Sequence, residues 1–151
     1  PFPALKCSAI FEDWANPTTW QQLTPQSKVP VRDGEDQVQP HRGAIAWNTY
    51  LNKWVTVFTQ HGGSTSLLGE IWYAESDAPT GPWKDAVKVV THTDYTFYNP
   101  QLHAEWTSTD SPILLFEATY TKTFSGNSEA TPRHDYNQVL YRLDLDDLPP
   151  R

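Results

Sequence analysis

Methionine is absent from the 151 residues, cysteine occurs once, at Cys7, and no apolar run approaches the roughly 18 residues a membrane-spanning helix requires. The lone thiol excludes an intrachain disulfide and reads as a free structural cysteine. Basic residues are also scarce. Eleven Lys and Arg stand against 18 Asp and Glu, for a net charge of −7, and the cations are scattered. Without a clustered basic face neither a nucleic-acid nor an anionic-membrane partner is expected. The histidines and the cysteine show no metal-ligand spacing, and "HGGSTS" at 61–66 lacks the lysine and the following helix of a phosphate loop, so neither metal nor cofactor is expected. The opening "PFPALKCSAIF" has neither the charged start nor the apolar run of a signal peptide. It begins on proline, the pattern of a processed or trimmed chain, and leaves the compartment open, with a secreted or periplasmic one compatible.

What is plentiful is aromatic and turn-forming: seven Trp, seven Tyr, six Phe and 13 Pro. That mixture suits an all-β, strand-and-turn protein. "RGAIAWN" at 42–48 and "KWVTVFTQ" at 53–60 are β-rich runs joined by "TYLN", a hairpin connection. "EIWYAES" at 70–76 makes a third strand, bounded by the turn signal "DAPTGP", and "WKDAVKVV" at 83–90 a fourth. The plan then recurs, with strands expected at "PQLHAEW" (100–106), "PILLFEAT" (112–119) and "NQVLYRLDL" (137–145).

Setting Trp47 against Trp106 aligns the first two strands of the two units; the third strands align as Tyr73 over Tyr141, because the second unit carries a loop nine residues longer. Under this alignment Glu117 corresponds to Phe58. Consecutive four-stranded antiparallel meanders of this size are the sequence pattern of β-propeller blades, whose faces are covered only by their neighbours. The expected organisation is a partial propeller over 1–151. Residues 1–40 would end a preceding blade and cross to the next, 41–91 form one blade, and 92–151 form most of a second. Further blades, from more of the polypeptide or from other chains, would complete it, and a two-sheet β-sandwich is the alternative.

In such blades the start of the innermost strand and the loop between strands two and three share one face of the ring. His41, His61, His92 and His134 lie in or beside those connections. Alternation along the second inner strand puts Asn99, Gln101 and His103 on one face and Pro100 and Leu102 on the other, a polar face suited to a water-lined channel or to satisfying buried backbone groups. Glu117 ends an apolar run and is expected at the loop face. There it is a candidate general acid, or else an ion-pair partner of Arg133 or Arg42. Glycoside hydrolysis requires two carboxylates, and Asp135 in "PRHDYN" is the nearest candidate for the second. Tyr98, Tyr120 and Tyr136 could offer sugar-stacking faces or pack the blades. Of these Tyr98 and Tyr120, with His41, Arg42, His61, Asn99, Gln101, His103 and Arg133, make up the expected binding set.

"GEIWYAESDAPTGPW" at 69–83 resembles blade strands of the five-bladed β-propeller glycoside hydrolases, the arabinanase, β-xylosidase and invertase-like group. The match is carried by Ile71, Tyr73, Ala74, Ser76, Pro79, Gly81, Pro82 and Trp83. "YNPQLHAEW" followed by "FEATYT" looks like a later blade of that broad group. The resemblance implies a five-bladed fold and a carbohydrate ligand, cleaved or simply bound. The catalytic aspartates of those enzymes have no counterpart position in this chain, and Glu117 stands in Glu117-Ala118-Thr119 where their acid is followed by Gly-Pro.

Overall fold

A computed structural model describes residues 26–63, 67–92, 94–123, 125–129 and 135–150, together with the backbone of two short paired strands, β1 (Lys6–Cys7) and β2 (Gln21–Gln22). The protein is all-β. After a small hairpin of β3 (Val29–Pro30) and β4 (Gln37–Val38) come β5 (Pro40–Asn48), β6 (Lys53–His61), β7 (Leu68–Ser76) and β8 (Lys84–Val90), an antiparallel meander in the order β5-β6-β7-β8. A second antiparallel meander, β9-β10-β11, is built from β9 (Thr96–Leu102), β10 (Ile113–Thr121) and β11 (Tyr136–Asp144). The β5–β6 turn closes as its composition suggests: Asn48 Oδ1 accepts the Leu51 N–H at 2.8 Å, and Asn52 takes a positive φ of 52°.

Two expected boundaries shift. The strand anticipated at 100–106 is β9, which starts at Thr96 and ends at Leu102, while Ala104–Trp106 form a 3₁₀ turn. Pro100 therefore does not open the strand. It sits inside a bulge, where its missing N–H costs no ladder bond. β10 in turn runs on to Thr121, so Glu117 is the middle of a nine-residue strand and does not stand at a loop mouth. Among the described residues the second sheet has no fourth strand.

The first sheet is buried on both faces. Val55, Val57, Ile71 and Tyr73 enter one core with Phe97, Leu102, Leu114, Phe116 and Ala118 of the second sheet. Phe58, Trp72, Ala74 and Ala86 form another with Val29 and Val38 of the N-terminal hairpin. This explains why β6 and β7 read as nearly unbroken apolar runs. Among the described residues only one face of the second sheet is covered, and Leu140 on the other is 55% exposed.

The shared core overturns the residue-by-residue alignment of the two units. Val57 and Phe116, paired by that alignment, and likewise Tyr73 and Tyr141, lie in or against one core between the sheets and so face each other. Equivalent side chains of sheets stacked in succession point the same way. Hydrogen bonding agrees: the His61 N–H donates to Gln39 O at 2.8 Å, and the His103 N–H donates to Leu115 O at 2.9 Å. Leu115 and Glu117 thus share the parity of His61, Thr59 and Val57, each turning its backbone polar groups to the sheet's first strand. A one-residue slip reverses every side chain. Glu117 is the counterpart of Thr59 or Val57, not of Phe58, and lies on the face turned away from the first sheet.

A buried ion pair ties the N-terminal segment to this framework. Arg32 Nη2 donates to Glu75 Oε1 at 3.1 Å, with side-chain exposures of 6% and 2%. Tyr73 OH donates to the same carboxylate oxygen at 3.1 Å, and Arg32 Nη1 donates to the Pro149 carbonyl at 2.7 Å. Removing one partner would strand the other charge, at a cost of about 3–5 kcal/mol. Arg32→Met is expected to lower the urea midpoint of unfolding accordingly, and the double variant Arg32→Met/Glu75→Leu to recover much of the loss. Gly43 is equally constrained, since a Cβ there would lie 2.2 Å from Val57 O and 2.7 Å from Phe58 Cβ. Gly43→Ala should unfold at a clearly lower temperature in calorimetry, as the obstructing atoms are backbone and a Cβ that cannot rotate away.

Candidate functional site

Each inner strand carries a bulge near its start. Between Pro40 and Gly43 the first sheet sets three steps of β5 against two of β6, and between Tyr98 and Gln101 the second sets three of β9 against two of β10. The extra residues fall at His41–Arg42 and Asn99–Pro100. Bulges bend a strand and re-aim its side chains. Asn99 adopts a positive φ of 48°, an uncommon backbone conformation for a residue with a Cβ. β9 lies against β5, and the two bulges open into one cleft of about 750 Å³. Arg42, Asn99, Gln101, Glu117, Tyr136 and Gln138 contribute to its wall, with His41 and Thr119 beside them.

Glu117 holds this position because its neighbours on β10 alternate cleanly: Leu114, Phe116 and Ala118 are buried while Ile113, Leu115 and Glu117 are partly exposed. Its ladder partners are Gln101 on β9 and Leu140 on β11. No ion pair joins Glu117 to Arg42, and the alternative partner Arg133 lies outside the described residues; Glu117 instead meets His103, whose Nε2 lies 3.7 Å from Glu117 Oε2, beyond hydrogen-bond range. His103 Nε2 is buried and has no hydrogen-bond partner among the described residues. The ring is fixed by stacking on Trp106, with centroids 3.7 Å apart and planes 4° from parallel, and by Nδ1, which lies 3.3 Å from Glu105 Oε1. Hydrogen bonding to its own backbone and then to His103 holds the Glu105 carboxyl below the usual range.

Asp135 does not join Glu117. Glu117 pairs with Leu140, whereas Asp135 lies just past the Thr121–Tyr136 pair. At about 3.3 Å per residue this puts the two backbones at least about 13 Å apart along the ladder. Asp135 instead faces Lys122, 3.6 Å away, and its carbonyl accepts from the Thr121 hydroxyl. Tyr120 is likewise not a sugar platform. It packs against His92, Tyr95 and Phe97, and burial pushes its hydroxyl up to about 12, with Tyr95, Asp94 and Tyr141 adding to the effect. Tyr98 pairs with Thr119 and does not line the cleft, whereas Tyr136, 59% exposed, does. Arg133 and His134 lie outside the described residues.

His41 stacks on His61 with ring centroids 6.0 Å apart, and its Nδ1 is buried without a hydrogen-bond partner among the described residues. His61 itself faces a neighbouring depression with Gln60 and Trp72. Three residues escaped the sequence reading: Thr119 and Gln138, joined by a 3.0 Å hydrogen bond on the cleft wall, and Trp106, which pins His103. The polar alternation of "YNQVLYRLD" was the available signal for Gln138. Trp106 had been assigned to a strand. Among the described residues no three His, Cys, Asp or Glu cluster as metal ligands.

No protein-family model, curated protein or solved structure matches this chain.

Burial, with His61 and Arg42 adding to it, holds the His41 imidazole below its ordinary range. The unfolded chain then binds a proton near pH 6.5 that the folded chain refuses. Stability from this group is present above that pH and is lost as pH falls toward the depressed folded value. Thermal unfolding between pH 7 and 5 should show a smaller acid-side loss in His41→Gln than in the unmodified protein.

Proposed function

We propose that this chain is part of a β-propeller, of five blades by its sequence resemblance, that takes a carbohydrate in the cleft at the ends of its inner strands. The observation that carries the reading is the pair of bulges opening into one cleft. They gather amide, guanidinium, carboxylate and hydroxyl side chains around an exposed tyrosine, the combination that hydrogen-bonds ring hydroxyls and stacks on the C–H face of a sugar. The propeller reading is supported by inner strands lying side by side in successive meanders. It is also supported by the outer face of the second sheet, which has the parity of the face that the first sheet buries against its neighbour. Further blades or chains would cover the part of that face beyond the cleft, where Leu115, Leu140 and Arg142 lie.

Hydrolysis asks more of the site. Glu117, with His103 behind it, has the placement of a candidate acid, but glycoside cleavage uses two carboxylates and no second one lines the cleft among the described residues. Binding without turnover is therefore the reading the described chain supports best, and Glu117 becomes an acceptor for sugar hydroxyls.

The full-length protein should retain specific glycans on an array and bind them in calorimetry. Tyr136→Ala is expected to weaken that binding by up to about tenfold, the worth of one aromatic platform. Absence of binding to every glycan would overturn the reading. If hydrolysis of polysaccharides is seen and falls by a factor of about 10²–10⁴ in Glu117→Gln, the catalytic form is the right one.

A further inference from the structure

Charge pairing singles out one residue of the cleft. Eight Lys and Arg side chains lie among the described residues, and six of them, Arg32, Lys53, Lys84, Lys88, Lys122 and Arg142, have a carboxylate within ion-pair distance. Acidic residues outnumber basic ones 18 to 11, so a cation finds a partner easily. Arg42 has none among the described residues, and it is the one projected into the cleft by the β5 bulge. Glu117, on the same cleft wall, is turned to His103 and leaves the guanidinium uncompensated.

A planar guanidinium with all its donors available matches a carboxylate in a two-pronged hydrogen-bonded pair, which a neutral hydroxyl cannot reproduce. The remaining wall is suited to the rest of such a sugar: Asn99, Gln101 and Gln138 offer amide donors and acceptors, and Tyr136 a ring face. The overall charge of −7 weakens non-specific capture of polyanions, so selectivity for an acid has to come from this local geometry.

We propose that the carbohydrate taken by this cleft is acidic, a uronic-acid-containing glycan whose carboxylate is bound by Arg42. The proposal rests on the reading of the cleft as a carbohydrate site and names its ligand class.

The test compares oligouronates (galacturonate, glucuronate and alginate-type) with their methyl esters, which keep the ring and remove the charge, in calorimetry on the full-length protein. At least one acid should bind about tenfold or more tightly than its ester, the worth of a charged hydrogen bond. Arg42→Gln should abolish that preference, bringing the affinity for the acid down to that for its ester, and Arg42→Lys should keep part of it. Equal binding of acid and ester, a preference that survives Arg42→Gln, or binding of neutral glycans alone would overturn the proposal and leave the carbohydrate reading standing. Failure of all acidic and neutral glycans would overturn both. Thermal unfolding of each variant checks that it is folded, which the exposed position of Arg42 favours.

Discussion

The apolar layer between the two sheets, with Val55, Val57, Ile71 and Tyr73 on one side and Leu114, Phe116 and Ala118 on the other, is the contact from which the other features follow. It sets the parity of β10. Once Phe116 is committed to this core, the pleat sends Glu117 to the opposite face, and the neighbouring strands bring Gln101 and Leu140 to the same row. The same layer lays β9 against β5, which brings two local irregularities of backbone together into one cleft.

Polar order is imposed around this layer from two directions. On the side of the N-terminal segment, Arg32 and Glu75 are nearly excluded from water and linked to Tyr73 and to the Pro149 carbonyl, which joins distant parts of the chain through one charge pair. On the cleft side, Trp106 and Glu105 hold His103 beside Glu117, while Arg42 has no carboxylate within ion-pair distance among the described residues.

Most strands could be read from the chain because alternation and turn chemistry act locally: "TYLN" and "DAPTGP" punctuate the first sheet where β5–β6 and β7–β8 change over. The parity error has a definite source: Trp47 lies inside β5, whereas Trp106 belongs to a 3₁₀ turn beyond the end of β9, so the two are not equivalent and matching them put the second strands one residue out of step. Pro100 reads as a strand start because the bulge that accommodates it leaves no mark in the sequence, and Glu117 reads as the point where its strand meets the loop face because the residues after it are polar. His41, Arg42, Asn99 and Gln101 were nonetheless expected at one mouth, and one cleft contains them all. Asp135 and Tyr120 were expected with them on sequence position alone, and ladder distance and aromatic packing took them elsewhere.

By itself the sequence determined the all-β class, the number and order of the main strands, the acidic balance and the polar character of the inner strands. These rest on composition and on a two-residue period that each segment carries internally. Only the tertiary structure decided which face each strand buries, that Glu117 meets His103 and not Arg42, and that Arg42 has no carboxylate within ion-pair distance among the described residues. Those outcomes depend on cross-strand register and on sheet packing, and a slip of one residue reverses the buried face while leaving local propensity unchanged.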